Sequence, residues 1–135
     1  MVKVVVDTNV FISSFYGGFP RKVIDCWKEG KIVICLSQEI IEEYVAVLMR
    51  LGVEAFEIKK LTNLFAEGYH SVFTSSAPKL NIVKDDPDDN KFIECAVALD
   101  CKIIISGDKH LLNIKKYVDI EILSPRAFIE QKKHC

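Results

Sequence analysis

The sequence carries no excess of charge of either sign. Its 18 lysines and arginines face 19 aspartates and glutamates, for a formal net charge of −1. Bulk charge therefore gives no argument for nucleic acid or an anionic membrane as partner, although a local site can still attract a polyanion. No window approaches the roughly 18 uncharged apolar residues of a membrane span, so no membrane association is expected. The opening run, Val2 to Val6, is interrupted by Lys3 and stopped by Asp7. That is short of the roughly 7–15 apolar residues in the core of a secretory signal, and none is expected. There is no CxxC. Cys26, Cys35, Cys95, Cys101 and Cys135 are odd in number and scattered, which reads as reduced thiols in a cytoplasmic protein, not as a disulfide frame or a zinc site. His70, His110 and His134 show no ligand spacing. Repeats, low-complexity tracts and linkers are also missing, and 135 residues fit one domain spanning 1–135. Half of the residues are apolar, which excludes intrinsic disorder.

What is present is an alternation. Val2 to Val6 and Ile32 to Leu36 are apolar, β-branched runs that read as buried strands. Ile103 to Ile105 and Asp119 to Leu123 read as two more. Ser37 suits the N-cap of a helix that carries Ile40, Ile41, Tyr44, Val45 and Leu48 at helical spacing. Glu54 to Ala66 reads as a second amphipathic helix. A polar connection, Thr74 to Lys79, leads to the acidic turn Asp85-Asp86-Pro87-Asp88-Asp89-Asn90, which opens a helix over Lys91 to Leu99. Ser124-Pro125 caps a last helix. Apolar strands alternating with helices predict an α/β fold: a three-layer α/β/α sandwich with a central parallel sheet. Ligands of such sheets bind beyond the carboxyl ends of the strands, at a topological switch point.

Acids stand at those ends. Asp7 follows its strand directly, and Asp108 follows Ile105 after Ser106 and Gly107. Asp88 and Asp89 begin a helix that enters from the same rim. On the helix after Ser37, Glu43 has apolar Ile40 and Val47 one turn away on either side, whereas Glu42 follows polar Gln38 and Glu39. Glu43 is thus the acid nearer the buried stripe. Each acid also has a structural reading. Asp7 and Asp88 suit N-caps, Asp89 a first helical turn, Asp108 a turn and Glu43 a solvated helix face. Carboxylates gathered at one rim repel, and a divalent cation reconciles them. Mg²⁺ or Mn²⁺ fits an all-oxygen set, where Zn²⁺ would prefer histidine or cysteine. Such ions activate water and neutralise charge on a phosphodiester during in-line attack.

These segments resemble a known family. Val4-Val5-Val6-Asp7-Thr8-Asn9-Val10-Phe11 is similar to the opening motif of PIN domains. Leu36-Ser37 through Glu43-Tyr44 resembles the family's glutamate-bearing helix, and Asp85 to Ala96 with Ile103 to Leu112 resembles its third and fourth acidic motifs. Ile122 to Phe128 is like the end of small prokaryotic members. The resemblance implies strand order 3-2-1-4-5 and an endoribonuclease dependent on Mg²⁺ or Mn²⁺. It implies Asp7, Glu43, Asp89 and Asp108 as catalytic and metal-binding acids, with Asn9 and Ser106 supporting them. Small VapC-like members are toxins of toxin–antitoxin pairs, which implies an antitoxin protein and a homodimer as partners.

Single-stranded RNA is the expected substrate. Arg21, Lys22, Lys109, His110, Lys115 and Lys116 are candidate phosphate contacts. Phe15, Tyr16 and Phe19 could stack on bases, but core packing is the expectation for most of them. A phosphatase of the haloacid dehalogenase type would need aspartate where Asn9 stands, and a receiver domain has no use for Glu43. The rival from another class is a non-catalytic RNA- or protein-binding PIN-like module.

Overall fold

Val4, Val5 and Val6 are fully buried because strands lie on both sides of them and helices cover the sheet. They belong to β1 (Val2–Val6), the third strand of a six-stranded sheet. The computed structural model describes residues 1–132, so His134 and Cys135 lie outside the described residues. After β1 come α1 (Thr8–Ser13), α2 (Gly18–Lys28), β2 (Ile32–Ser37), α3 (Gln38–Arg50), α4 (Ala55–Ala66) and β3 (Ser71–Thr74). The second half holds α5 (Asn90–Ala98), β4 (Ile103–Ile105), α6 (Lys109–Leu112), β5 (Lys116–Tyr117), β6 (Ile120–Leu123) and α7 (Pro125–Lys132).

The order across the sheet is β3-β2-β1-β4-β6-β5. The first five strands are mutually parallel, in the order that the motifs imply, with β6 in the fifth place. The sheet is not wholly parallel, because β5 pairs antiparallel with β6. Its two-residue turn, Val118 and Asp119, is too short for the crossover that a parallel pair needs. The last long strand accordingly starts at Ile120, and Asp119 sits in the turn, 2.8 Å from the Lys102 ammonium.

Three elements have weak sequence signals. β3 is a four-residue edge strand whose Val72 and Phe73 are exposed, so it shows no buried run. α2 starts at Gly18-Phe19-Pro20, residues that usually mark loops; Pro20 is tolerated because it lies in the first turn. α1 is short and follows Asp7 without a break.

The layers lock to one another through aromatics. α5 packs across β1, β2 and β4, and α2 packs against β2, α1 and α7. Phe11 of α1 stacks on Tyr44 of α3 with ring centroids 4.2 Å apart and planes 7° from parallel. Tyr44 is fully buried, and its hydroxyl donates to the carbonyl of Val6, the residue before Asp7. Cys35, Cys95 and Cys101 are buried free thiols. Among the described residues no helix is long and apolar enough to cross a membrane.

Tyr44 ties the core to the end of β1. Tyr44→Phe keeps the stacked ring and removes only the hydroxyl, so it should lower unfolding stability by about 1 kcal/mol. Urea unfolding of the two proteins measures this; an unchanged midpoint would mean the hydroxyl contributes nothing to folding.

Candidate metal centre

The chain crosses from β3 on one side of β1 to β4 on the other. That reversal opens a crevice at the carboxyl ends of β1 and β4. The backbone continues the pairing past the strands: Asp7 N–H donates to Ile105 (3.0 Å) and Ser106 N–H to Leu123 (2.9 Å). The crevice is an open basin of about 310 Å³ whose lining includes Asp7, Asn9, Glu43, Arg50, Asp89 and Asp108. The four acids named from the sequence therefore meet at one rim.

Each acid is held differently. Asp7 caps α1, accepting from Val10 N–H at 2.8 Å through Oδ1, while Oδ2 accepts from the Ser106 hydroxyl. Its N-cap role and its place in the basin coexist. Asp108 caps α6, accepting from His110 N–H at 2.7 Å, and its own N–H donates to Ser106 Oγ at 3.0 Å. Fully buried Ser106 thus links the two strand ends. Glu43 is bound through both oxygens: Oε1 accepts from the Thr8 hydroxyl and Oε2 from the Lys91 ammonium. Glu42 points to solvent, where Gln38 donates to it at 3.1 Å.

Asp89 precedes α5 but makes no capping bond, and its Oδ2 is buried without a hydrogen-bond partner. Of the residues on either side of it, Asp88 departs from its expected role. Asp88 is not an N-cap; it sits in a 3₁₀ turn, Pro87–Asp89, with its side chain 85% exposed and 3.6 Å from Lys91. Asn90 is buried and pins the preceding loop. Its Oδ1 accepts from the N–H groups of Ile82 (2.9 Å) and Val83 (2.8 Å), and its amide donates to Pro87 (3.0 Å). Glu94 adds a bond from Leu80 N–H at 2.8 Å. A loop with no regular structure is thereby held in place, and the acidic turn with it.

Several expectations change in detail. Asn9 lines the basin but is exposed and holds no carboxylate; the neighbouring Thr8 does so instead. Asp86, not singled out from the sequence, joins Asp89 and Asp108 in the tightest acidic group among the described residues, with one oxygen from each within 4.8 Å of the others. Nothing in a run of four nearby aspartates told it apart. The basic lining of the basin is Arg50, seven residues after Glu43 on α3, not the six candidates named from the sequence. Arg21, for example, donates to the carbonyls of Ser14 and Phe15. Of the three aromatics, Phe15 is 46% and Tyr16 79% exposed, against the expectation of core packing.

The basin suits a cation. Burial raises Asp7 from 3.8 to about 6, with the Asp108 charge adding to it, although the bonds from Ser106 and Val10 pull the other way. Burial and the charges of Asp108 and Asp86 raise Asp89 from 3.8 to about 7. Burial disfavours the Lys91 ammonium, but the bond and charge of Glu43 outweigh this and hold its pKa above the usual lysine value. An unpaired buried carboxylate oxygen, two carboxyls reluctant to ionise and an all-oxygen donor set fit a hard divalent ion.

A family model described as a PIN domain matches residues 3–110, a span that takes in all four acids. An uncharacterized protein of Methanocaldococcus jannaschii is 38% identical over an alignment of 147 positions, covering 96% of this chain and 91% of the relative.

The two raised acids set a pH dependence for the metal-free protein. Unfolded, both ionise near 3.8; folded, near 6 and near 7. Between those values the folded state binds more protons than the unfolded state. The contribution of these two groups to stability is therefore fully present below about 4 and is lost as pH rises through about 7. In EDTA, Tm attributable to these groups should fall across that window, and Asp89→Asn should flatten the fall. A Tm that rises over the same window in EDTA, and rises equally in the variant, would contradict it.

Proposed function

The chain belongs to the PIN domain family, and on that premise we propose that it is a metal-dependent endoribonuclease that hydrolyses phosphodiester bonds in single-stranded RNA. PIN domains are in general nucleases. The observation that carries the proposal is the meeting of Asp7, Glu43, Asp89 and Asp108 in one basin, with an oxygen of Asp89 buried and unpartnered. Mg²⁺ or Mn²⁺ would be held by the aspartates. When bound, it supplies the positive charge that makes water nucleophilic near neutral pH and offsets charge developing on the phosphate.

The remaining work belongs to the chain itself. Val10 N–H and Ser106 hold the Asp7 carboxylate in one orientation. The bond from Asp108 N–H to the same serine keeps the two aspartates in register. Arg50 offers the cation that a backbone phosphate needs at the mouth of the basin. The basin is open, which suits a flexible single strand better than a rigid duplex. We assign the protein to the toxin side of a toxin–antitoxin pair, with a homodimer as the assembled form and an antitoxin protein as partner. The support is the likeness of its motifs to VapC-like members.

Incubation of a mixed RNA pool with Mn²⁺ should give cleavage that EDTA abolishes. Asp7→Asn should reduce it at least about a hundredfold while leaving far-UV circular dichroism unchanged. RNA retention without scission would favour the non-catalytic binding module instead. Equal, metal-dependent cleavage by Asp7→Asn would refute the assignment of the site.

A further inference from the structure

Lys91 is an anomaly at the edge of the basin. It follows the acidic turn by two residues, yet its side chain is only 9% exposed. Lysine is rarely buried so deeply without a partner. Its partner is Glu43, brought from α3 on the other side of the crevice, with Asp88 as a more distant second contact at 3.6 Å. Thr8 takes the other oxygen of Glu43. One of the four acids is thus already neutralised by the protein, through contacts from α1 and α5 that close around it. The aspartates differ: Asp86, Asp89 and Asp108 present oxygens to one another, and among the described residues no lysine or arginine forms an ion pair with them.

We infer that Lys91 is a positioning residue that acts as a built-in cation for the Glu43 side of the basin, so that the site takes up one divalent ion, on the aspartate side, and Glu43 is held in place without ligating it. The inference rests on the metal-dependent reading above and specifies the charge arithmetic of that site. The physical reason is competition. A buried ammonium in contact with a carboxylate must be displaced before a second ion can use that carboxylate, and displacement would leave the ammonium buried and unpaired. Among the described residues Asp7, Asp86, Asp89 and Asp108 have no such competitor, so a divalent ion is favoured there.

The test is titration of the purified, EDTA-treated full chain with Mn²⁺ alone, followed by calorimetry and by the loss of free Mn²⁺ signal in electron paramagnetic resonance. The wild type and Lys91→Arg, which keeps the charge, should each take up one equivalent. Lys91→Met frees Glu43 and should raise uptake to two, and adding Glu43→Gln to it should return uptake to one. A structural role for Lys91 alone would lower Tm without changing the count. Two equivalents in the wild type, or a single equivalent in a folded Lys91→Met, would overturn the inference while leaving the nuclease proposal standing. Should Lys91→Met fail to fold, the pair of wild type and Glu43→Gln decides. Equal uptake of one supports the inference, and a drop from two to one defeats it. No uptake by the wild type would defeat this inference and the metal-dependent nuclease together.

Discussion

Carboxylates brought to one edge of a sheet repel each other, and their surroundings are arranged around that repulsion. Four chain segments deliver acids to the crevice between β1 and β4. Left alone in a partly dry basin they would protonate or push apart. The protein answers differently at each one. Backbone N–H groups and a buried serine hold Asp7, a helix cap holds Asp108, and Thr8 with Lys91 holds Glu43. Asp89 has least help, and its pKa is raised further than that of Asp7. The unmet demand for positive charge is concentrated on one side of the basin, where a cation would stabilise the folded protein as well as equip it for chemistry.

The fold and the site share parts. Asp7 and Asp108 are helix N-caps at the ends of adjacent parallel strands. A capping aspartate is fixed in orientation by the backbone it satisfies, so the same bond that starts a helix also aims a carboxylate. Tyr44 connects the two levels again, since its ring packs on Phe11 while its hydroxyl grips the carbonyl before Asp7. Asn90 and Glu94 do for the irregular loop what hydrogen-bonded pairing does for strands: they satisfy backbone N–H groups and hold the acidic turn at the rim.

Much of this was legible in the residues. The valine and isoleucine runs identify β1, β2 and β4, because a strand buried on both faces is apolar along most of its length; Lys3 in β1 and Ser37 at the end of β2 are the departures. Asp7 and Asp108 follow from their places after those runs. Glu43 follows from helical spacing, which turns Glu42 outward. β3 and β5 were not legible, because an exposed edge strand of four residues and a two-residue strand bury too little to leave a pattern. Asp86 was hidden among like neighbours. Thr8 and Lys91 were hidden for another reason: their roles consist of contacts with Glu43, 35 and 48 positions away.

Local rules, then, determined the succession of strands and helices, the acids at the strand ends and the family to which the chain belongs. Burial and hydrogen bonding of near neighbours leave a periodic trace in a linear chain. Tertiary structure alone decided which oxygen lacks a partner, which carboxyls resist ionisation and which acid already has its cation. Those properties depend on distances between segments remote in sequence and on the water excluded when they meet, and electrostatic energy responds to both.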